Sequence, residues 1–222
     1  VIERAAVARA ILEQSAETES GTVSVGASQT IANHWLPRRL AAFREAYPAI
    51  RLDITIGNTQ TVEDAVVSGS LDIGMVEGPT TNQLLIRTIA DSDRPVLVTS
   101  PGMSVPLLST GRTDLASLPW IVREEGSGTR DALRQLCERM SVPFDMLRII
   151  LVLPSNEAVR EAVEAGAGAA VISEQVVAAS VETGRLSVVP VDLPQRDFAL
   201  LRHSQRVMTP AQRALVSTLG YR

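Results

Sequence analysis

The amino-acid sequence predicts an α/β protein with two Rossmann-like lobes and a hinged cleft between them. Strand-like and helix-like hydrophobic patterns alternate along most of the 222 residues, and 45% of the residues are hydrophobic, which is enough for two small cores. The order of these patterns indicates a first lobe, a second lobe and a return to the first. Two crossings between lobes are typical of a hinged clamshell.

Residues 1–20 predict the end of a linker helix. Residues 1–19 contain no Gly or Pro, which favours a helix. The apolar stripe of this helix is thin and interrupted, so it would bury little against a globular core. A helix that links domains or pairs with a partner therefore fits better than a core helix.

Residues 21–99 predict the first part of the first lobe. Alternating patterns predict strands at 22–26 and 50–57, a near-continuous apolar run predicts a strand at 71–77, and two further strands are predicted at 84–90 and 95–99. Helices are predicted at 31–47 and 59–68. Pro37 either kinks the first helix or begins a second segment. The order strand, helix, strand, helix, strand is typical of a parallel sheet.

Residues 100–191 are predicted to form the second lobe, and residues 192–222 are predicted to return to the first lobe. The Ser-Pro-Gly break at 100–102 marks the first hinge, and the segment 190–194 marks the return crossing. Further strands are predicted at 120–123, 147–153, 169–172, 186–191 and 196–202, and further helices from Ser127 onward and at 155–165, 173–179 and 210–219.

Charge and composition exclude several kinds of function. The net charge of −4 is spread over the chain, whereas DNA binding needs a clustered basic face, so DNA contact is expected only from sequence outside this chain. No apolar run approaches the roughly 18 residues that span a bilayer. The sequence begins at Val1 without a leader pattern, which predicts a fragment or processed product in the cytoplasm. The single cysteine, Cys137, is expected to be a buried small hydrophobe.

Three predicted helix starts carry short polar residues directly after a strand. They are Ser28 with Thr30, Ser127 with Thr129, and Ser155 with Asn156. Helix amino termini present unpaired N–H groups, and ligands of open α/β sheets bind at the carboxyl ends of the strands. These residues therefore predict a site for a small anion, although each start taken alone also fits an ordinary helix cap.

Glu77 and Arg130 are further candidate ligand contacts. Glu77 comes at the carboxyl end of the third strand, and Arg130 could bind a carboxylate with two hydrogen bonds, but both positions also fit solvent-exposed residues. His34 and His203 have no second ligand at metal-binding spacing, and no nucleophile elbow is visible. The sequence predicts a binding protein with no catalytic residues, no cofactor and no metal.

The chain resembles the effector-binding domain of the LysR-type transcriptional regulators over nearly its whole length. The matching segments are 21–26, 36–37 with Phe43, 47–48, 69–74, 123–130 (Arg-Glu-Glu-Gly-Ser-Gly-Thr-Arg), 155–159, 163–173 and 184–186. Each segment taken alone is moderately specific for this family. The order and spacing of the segments together are strong evidence for the resemblance.

This resemblance implies a fold like that of type II periplasmic binding proteins and a homodimer or homotetramer. It also implies a DNA-binding winged helix-turn-helix before Val1, and an effector in the cleft between the lobes that shifts the oligomer between DNA-bending states. The motif at 123–130 is similar to that of regulators of CO2 fixation and sulfur metabolism, whose effectors include phosphorylated or inorganic anions. On this basis Ser28, Thr30, Ser127, Thr129 and Asn156 are expected to contact the ligand.

Little basic character is expected near the cleft, which favours a singly charged oxyanion or a carboxylate over a doubly charged phosphate. A solute-binding protein of an importer shares the predicted clamshell and is the alternative function. An enzyme on the same fold is the third reading, but the sequence offers no convincing acid/base pair to support it.

Overall fold

A computed structural model describes residues 20–80 and 82–219 of the chain. The chain forms two compact units: the first takes the described residues up to Asp91 and those from Asp197 onward, and the second is Ser92–Arg196. The predicted crossings, at 99/100 and 191/192, lie eight and five residues from these divisions. The predicted linker helix at 1–20 lies almost wholly outside the described residues.

The first unit is built on a five-stranded mixed sheet. Its strands are β1 (Gly21–Ser28), β2 (Ile50–Gly57), β3 (Ile73–Glu77), β4 (Leu85–Asp93) and β10 (Arg196–His203), in the order β2-β1-β3-β10-β4. β1 is parallel to both β2 and β3, as the alternating pattern predicted, whereas β10 runs antiparallel to β3. The returning chain therefore inserts β10 between two strands that are neighbours in sequence.

Three α-helices and one π-helical turn accompany this sheet. They are the π-helix Ile31–Trp35, α1 (Leu36–Ala46), α2 (Thr59–Ser68) and α6 (Pro210–Thr218). Pro37 lies in the first turn of α1, where a missing N–H leaves no hydrogen bond unmade. The preceding N–H, of Leu36, bonds to the carbonyl of Ile31 five residues back. Pro37 thus begins a second helical segment, which was one of the two alternatives.

Apolar side chains cover both faces of the first sheet. One layer contains Phe43, Phe198 and Leu215, and the other contains Val62 and Val66 from α2. On the α2 side the sheet and helix approach closely, because a Cβ on Gly26 would lie 3.2 Å from a methyl of Val62 in α2. This close packing fixes where α2 begins relative to the ends of β1 and β3.

The second unit contains two groups of strands joined by one residue. The strands are β5 (Pro95–Thr99), β6 (Pro119–Arg123), β7 (Arg148–Leu153), β8 (Ala170–Ser173) and β9 (Ser187–Val189); the helices are α3 (Gly128–Met140), a 3-10 turn (Phe144–Met146), α4 (Asn156–Glu164) and α5 (Glu174–Glu182). β5 pairs antiparallel with β8 and β9, and β6 pairs parallel with β7. Ala169 joins the groups, because its N–H bonds to the carbonyl of Pro119 at 2.8 Å.

These pairings account for the difference between the predicted first crossing and the division into units. β5 obtains both of its strand partners in the second unit, although the sequence assigned it to the first. At the two ends of this unit, Asp93 and Arg196 form a buried ion pair, with 2.8 and 2.6 Å between guanidinium nitrogens and one carboxylate oxygen. The hydroxyl of Ser173 donates to the other oxygen at 2.7 Å. Residues 92–99 are thereby held in the second unit.

The core of the second unit buries one face of α3. Leu133, Leu136 and Cys137 of α3 are buried around Trp120 of β6. The indole N–H of Trp120 donates to the carbonyl of Leu115 at 2.8 Å, so this buried polar group is satisfied. The packing fixes α3, and hence its amino terminus, against β6.

Candidate functional site

In the first unit the candidate residues lie at the carboxyl ends of the sheet strands. Ser28 is the last residue of β1, Glu77 is the last residue of β3, and Thr30 immediately precedes the π-helix. β1 and β3 are parallel, so their carboxyl ends lie at one edge. All three side chains are buried, which contradicts the alternative of an exposed loop glutamate at Glu77.

The hydroxyl of Ser28 is the unsatisfied group of this edge. The residue is 2% exposed, and its Oγ has no hydrogen-bond partner among the described residues. A buried polar group without a partner destabilises the fold, so such groups are uncommon and call for a physical account. An oxygen of a bound ligand would supply the missing acceptor.

Thr59 begins α2 at the carboxyl end of β2 and was not predicted as a site residue. Its side chain is buried, and its hydroxyl donates to the carbonyl of Glu77 at 3.4 Å. Asn58 and Thr61 form a reciprocal capping box around this helix start. The signal was present in the sequence, since a strand end followed by Asn, two residues and Thr is a helix-start pattern.

The helix start at Thr30 differs from the expected cap. Thr30 has helical dihedrals, and its side chain makes no capping hydrogen bond to the π-helix. The chain therefore turns directly from β1 into the π-helix without the extended residue that precedes an ordinary helix.

In the second unit Ser127 is an ordinary helix cap. Its Oγ accepts from the backbone N–H of Thr129 at 3.3 Å, and the preceding Gly126 has a φ of 78° that favours glycine. Ser127 and Thr129 are both buried. The capping interpretation therefore accounts for the hydroxyl of Ser127, whereas the hydroxyl of Thr129 points to a different partner.

Asn156 is that partner, and it brings the two helix starts of the second unit together. It is the first residue of α4, which Ser155 caps, and its Oδ1 accepts from the Thr129 hydroxyl at 3.3 Å. β6 and β7 are parallel with Arg123 in register with Leu153, so the helices that follow them begin at the same edge. The structure thus joins two residues that the sequence only suggested would share a site.

Arg130 supports the turn instead of facing solvent. Its guanidinium donates to the carbonyl of Arg123 at 3.1 Å and lies 5.4 Å from the ring centroid of Phe144. The carboxylate of Glu125 lies 3.5 Å away. The arginine consequently ties the end of β6 to the beginning of α3.

One basic side chain that the sequence did not predict lies beside the candidate residues of the second unit. Arg123, which was not predicted as a site residue, is 3% exposed at the side chain and donates to Asn156 Oδ1 at 2.6 Å. Its Nε and second terminal nitrogen donate to the two carboxylate oxygens of Glu124 at 2.8 and 2.7 Å. β6 ends at Arg123, so Glu124 and Glu125 lie in the turn and pair with different arginines.

Other candidate chemistry is accounted for within the described residues. Burial raises the pKa of the Cys137 thiol to about 11, so Cys137 is the inert buried hydrophobe that the sequence predicted. His34 is exposed, and His203 accepts a hydrogen bond from the backbone of Gln205. Across residues 20–80 and 82–219, no cluster of His, Cys, Asp and Glu is arranged to hold a metal, and no helix has the length and apolarity needed to cross a membrane.

Comparison with known proteins identifies related sequences and folds. The family model described as the LysR substrate binding domain matches residues 16–221. The HTH-type transcriptional regulator YeiE of Escherichia coli strain K12 is 33% identical over 214 residues, which cover 93% of this chain and 72% of YeiE.

Two solved structures share the fold at low sequence identity. The regulatory domain of CcmR from Synechocystis PCC6803 in complex with 2-PG has a TM-score of 0.77 at 23% identity, covering 90% of this chain and 96% of that one. The effector-binding domain of QuiR in complex with shikimate has a TM-score of 0.76 at 15% identity, with the same coverage. The predicted two-lobed α/β fold, like that of type II periplasmic binding proteins, is confirmed.

Proposed function

From the premise that this chain belongs to the LysR substrate-binding-domain family, we propose that it is an effector-sensing domain that binds a small anion or carboxylate. Binding shifts the population of conformations, and the shift passes through a homodimer or homotetramer to a winged helix-turn-helix outside this chain. A coupling of ~1–3 kcal/mol is sufficient. The proposal includes a cytoplasmic location and no catalysis.

The buried, unpartnered hydroxyl of Ser28 is the observation that carries this proposal. It lies at the edge where parallel strands end and beside Thr30, which is where ligands of open α/β sheets bind. In the second unit, Thr129 and Asn156 meet at the equivalent strand ends. Shikimate, the ligand of the QuiR domain, is a carboxylate, which supports the ligand class.

The charges of the candidate residues favour a singly charged ligand. The guanidinium of Arg123 is already matched by Glu124, and Arg130 lies beside Glu125. A ligand with one negative charge would therefore add less uncompensated charge to this site than a doubly charged ligand would. Hydroxyl and amide donors suit a carboxylate or a compact oxyanion better than a doubly charged phosphate.

The test measures anion binding by calorimetry and thermal shift with acetate, shikimate, sulfate and inorganic phosphate. Ser28→Ala is expected to weaken binding about tenfold, because a hydrogen bond to a charged group is lost. Thr129→Ala is also expected to weaken binding, because the Thr129 hydroxyl donates to Asn156 and helps to hold that side chain in place. Ser109→Ala, in an exposed loop, is the matched control and should bind as the wild type does.

The unliganded melting temperature separates ligand binding from a structural role. Ser28→Ala removes a hydroxyl that has no partner among the described residues, so the unliganded variant should melt no lower than the wild type. Equal anion affinity in Ser28→Ala, Thr129→Ala and the wild type, with all three folded, would remove the site assignment.

Exposed apolar side chains on two strands also support the proposed homo-oligomer. β2 and β7 each lie at the edge of their own sheet, and both carry exposed apolar side chains: Ile54 at 40%, Ile56 at 54%, Leu151 at 38% and Val152 at 54%. Exposed apolar edge strands favour association with another chain. We infer that a second copy of this chain covers them, as the oligomeric regulators of the family require.

A further inference from the structure

All three nitrogens of the buried Arg123 guanidinium are engaged, and they have two different kinds of partner. One terminal nitrogen donates to Asn156 at 2.6 Å. The other terminal nitrogen and Nε form a bidentate pair with Glu124, at 2.7 and 2.8 Å. The edge of a guanidinium that holds one carboxylate in this way can hold another carboxylate or an oxyanion by the same two donors.

The two partners differ in how easily they can leave. Asn156 is 1% exposed and begins α4, so its side chain is fixed by the packing of that helix. The Glu124 side chain is 30% exposed and belongs to the turn that follows β6. Glu124 can therefore swing into solvent without breaking a strand or helix, while Asn156 keeps Arg123 in place.

We propose that Glu124 is a built-in competitor for the effector: its carboxylate occupies the edge of Arg123 that an incoming carboxylate or oxyanion takes when it binds. This inference rests on the proposed function and deepens it, because it adds Arg123 as a direct ligand contact and Glu124 as the residue that sets the threshold of response.

The exchange restricts the ligand. An effector that displaces Glu124 must return two acceptor oxygens to the nitrogens of Arg123, which a carboxylate or a tetrahedral oxyanion does. When Glu124 leaves Arg123, a singly charged ligand replaces its negative charge. A doubly charged ligand adds a second negative charge that Arg123 does not compensate. The apparent affinity is lowered by the fraction of molecules in which Glu124 covers Arg123.

The test compares Glu124→Gln with the wild type by calorimetric titration with acetate and with sulfate. Glu138→Gln changes the net charge equally at an exposed position of α3 and is the matched control. If Glu124 covers Arg123 in nine of ten molecules, its removal lowers the apparent Kd about tenfold. Glu138→Gln should stay within about twofold of the wild type. The double variant Arg123→Lys with Glu124→Gln should not bind the anion more tightly than the wild type, because lysine cannot form the bidentate hydrogen bonds that arginine forms.

Unliganded stability gives a second readout. Glu124→Gln should melt below the wild type without anion, since a buried cation loses its counter-charge, and saturating sulfate should recover more of the melting temperature in the variant than in the wild type. Glu124→Gln binding both anions as weakly as the wild type, or neither protein binding either anion, would overturn the proposal.

The same titrations separate this inference from the proposed function. If Glu124→Gln binds more tightly while Ser28→Ala binds as the wild type does, the exchange at Arg123 is supported and the ligand contact at Ser28 is refuted. If Ser28→Ala binds more weakly while Glu124→Gln is unchanged, the ligand contact at Ser28 is supported and the competition by Glu124 is refuted.

Discussion

Single atoms decide how the candidate residues of the second unit are organised. One amide oxygen, Oδ1 of Asn156, accepts hydrogen bonds from residues 27 and 33 positions earlier in the chain, Thr129 and Arg123. A neutral acceptor holds the buried guanidinium on one side and leaves its other edge to a carboxylate. The arrangement makes Asn156 a positioning residue whose replacement would loosen both partners at once.

Asp131, in the first turn of α3, gives a prediction at the residue scale. Burial raises its pKa above 3.8, against the opposing effect of Arg134, Arg130 and Arg196. The folded state therefore binds this proton more tightly than the unfolded state, so the stabilisation is present at low pH and is lost as pH rises through the raised pKa. Asp131→Asn should melt slightly above the wild type at pH 7.

Melting temperatures measured from pH 7 down toward pH 4 check this prediction. The difference between Asp131→Asn and the wild type should shrink as the pH approaches 3.8, because the wild-type carboxyl becomes protonated. A variant that melts below the wild type at pH 7 would show that the charged form of Asp131 stabilises the fold through its arginine neighbours.

At the scale of elements, the close approach of β6 to the residues before β8 holds the second unit together. A Cβ on Gly168 would lie 2.5 Å from the carbonyl oxygen of Pro119, which is a backbone atom and cannot rotate away. Gly168→Ala should therefore force the strands apart where Ala169 links them. We expect a loss of about 1–3 kcal/mol in the free energy of unfolding.

Urea denaturation followed by circular dichroism measures this loss. Gly102→Ala is the control, because a Cβ there would meet no atom within 4 Å among the described residues. Equal stability of Gly168→Ala and Gly102→Ala would mean that the strands can separate at this point without loss.

At the scale of the whole molecule, the exposed apolar edges of β2 and β7 predict self-association. Ile56→Lys and Val152→Lys each place a charge on one of these strands, which should oppose pairing with a second chain. Size-exclusion chromatography with light scattering should show an oligomer for the wild type and a shift toward the monomer for both variants.

Val207→Lys is the control for this experiment, since Val207 is an apolar residue exposed in a loop and not on an edge strand. A wild-type protein that is monomeric at high concentration, or variants that associate as strongly as Val207→Lys, would show that these strands are not the interface.

The sequence by itself determined the kinds of elements and most of their positions. The strand at 50–57 and the helix at 59–68 have the bounds that alternation and helical period predicted, and α6 begins at Pro210 behind the Thr209 cap. These features depend on residues within a few positions of one another, so a local pattern contains the information.

Only the tertiary structure decided which strands are neighbours and which side chains meet. Every residue of β5 is buried, and a buried run of this kind does not reveal whether its strand partners come before or after it in the chain. In the structure β5 pairs with β8 and β9 and therefore belongs to the second unit. The position of Arg123 beside Asn156 likewise depends on the parallel pairing of β6 with β7. Contacts between distant residues are set by the packing of whole elements, which no short stretch of sequence specifies.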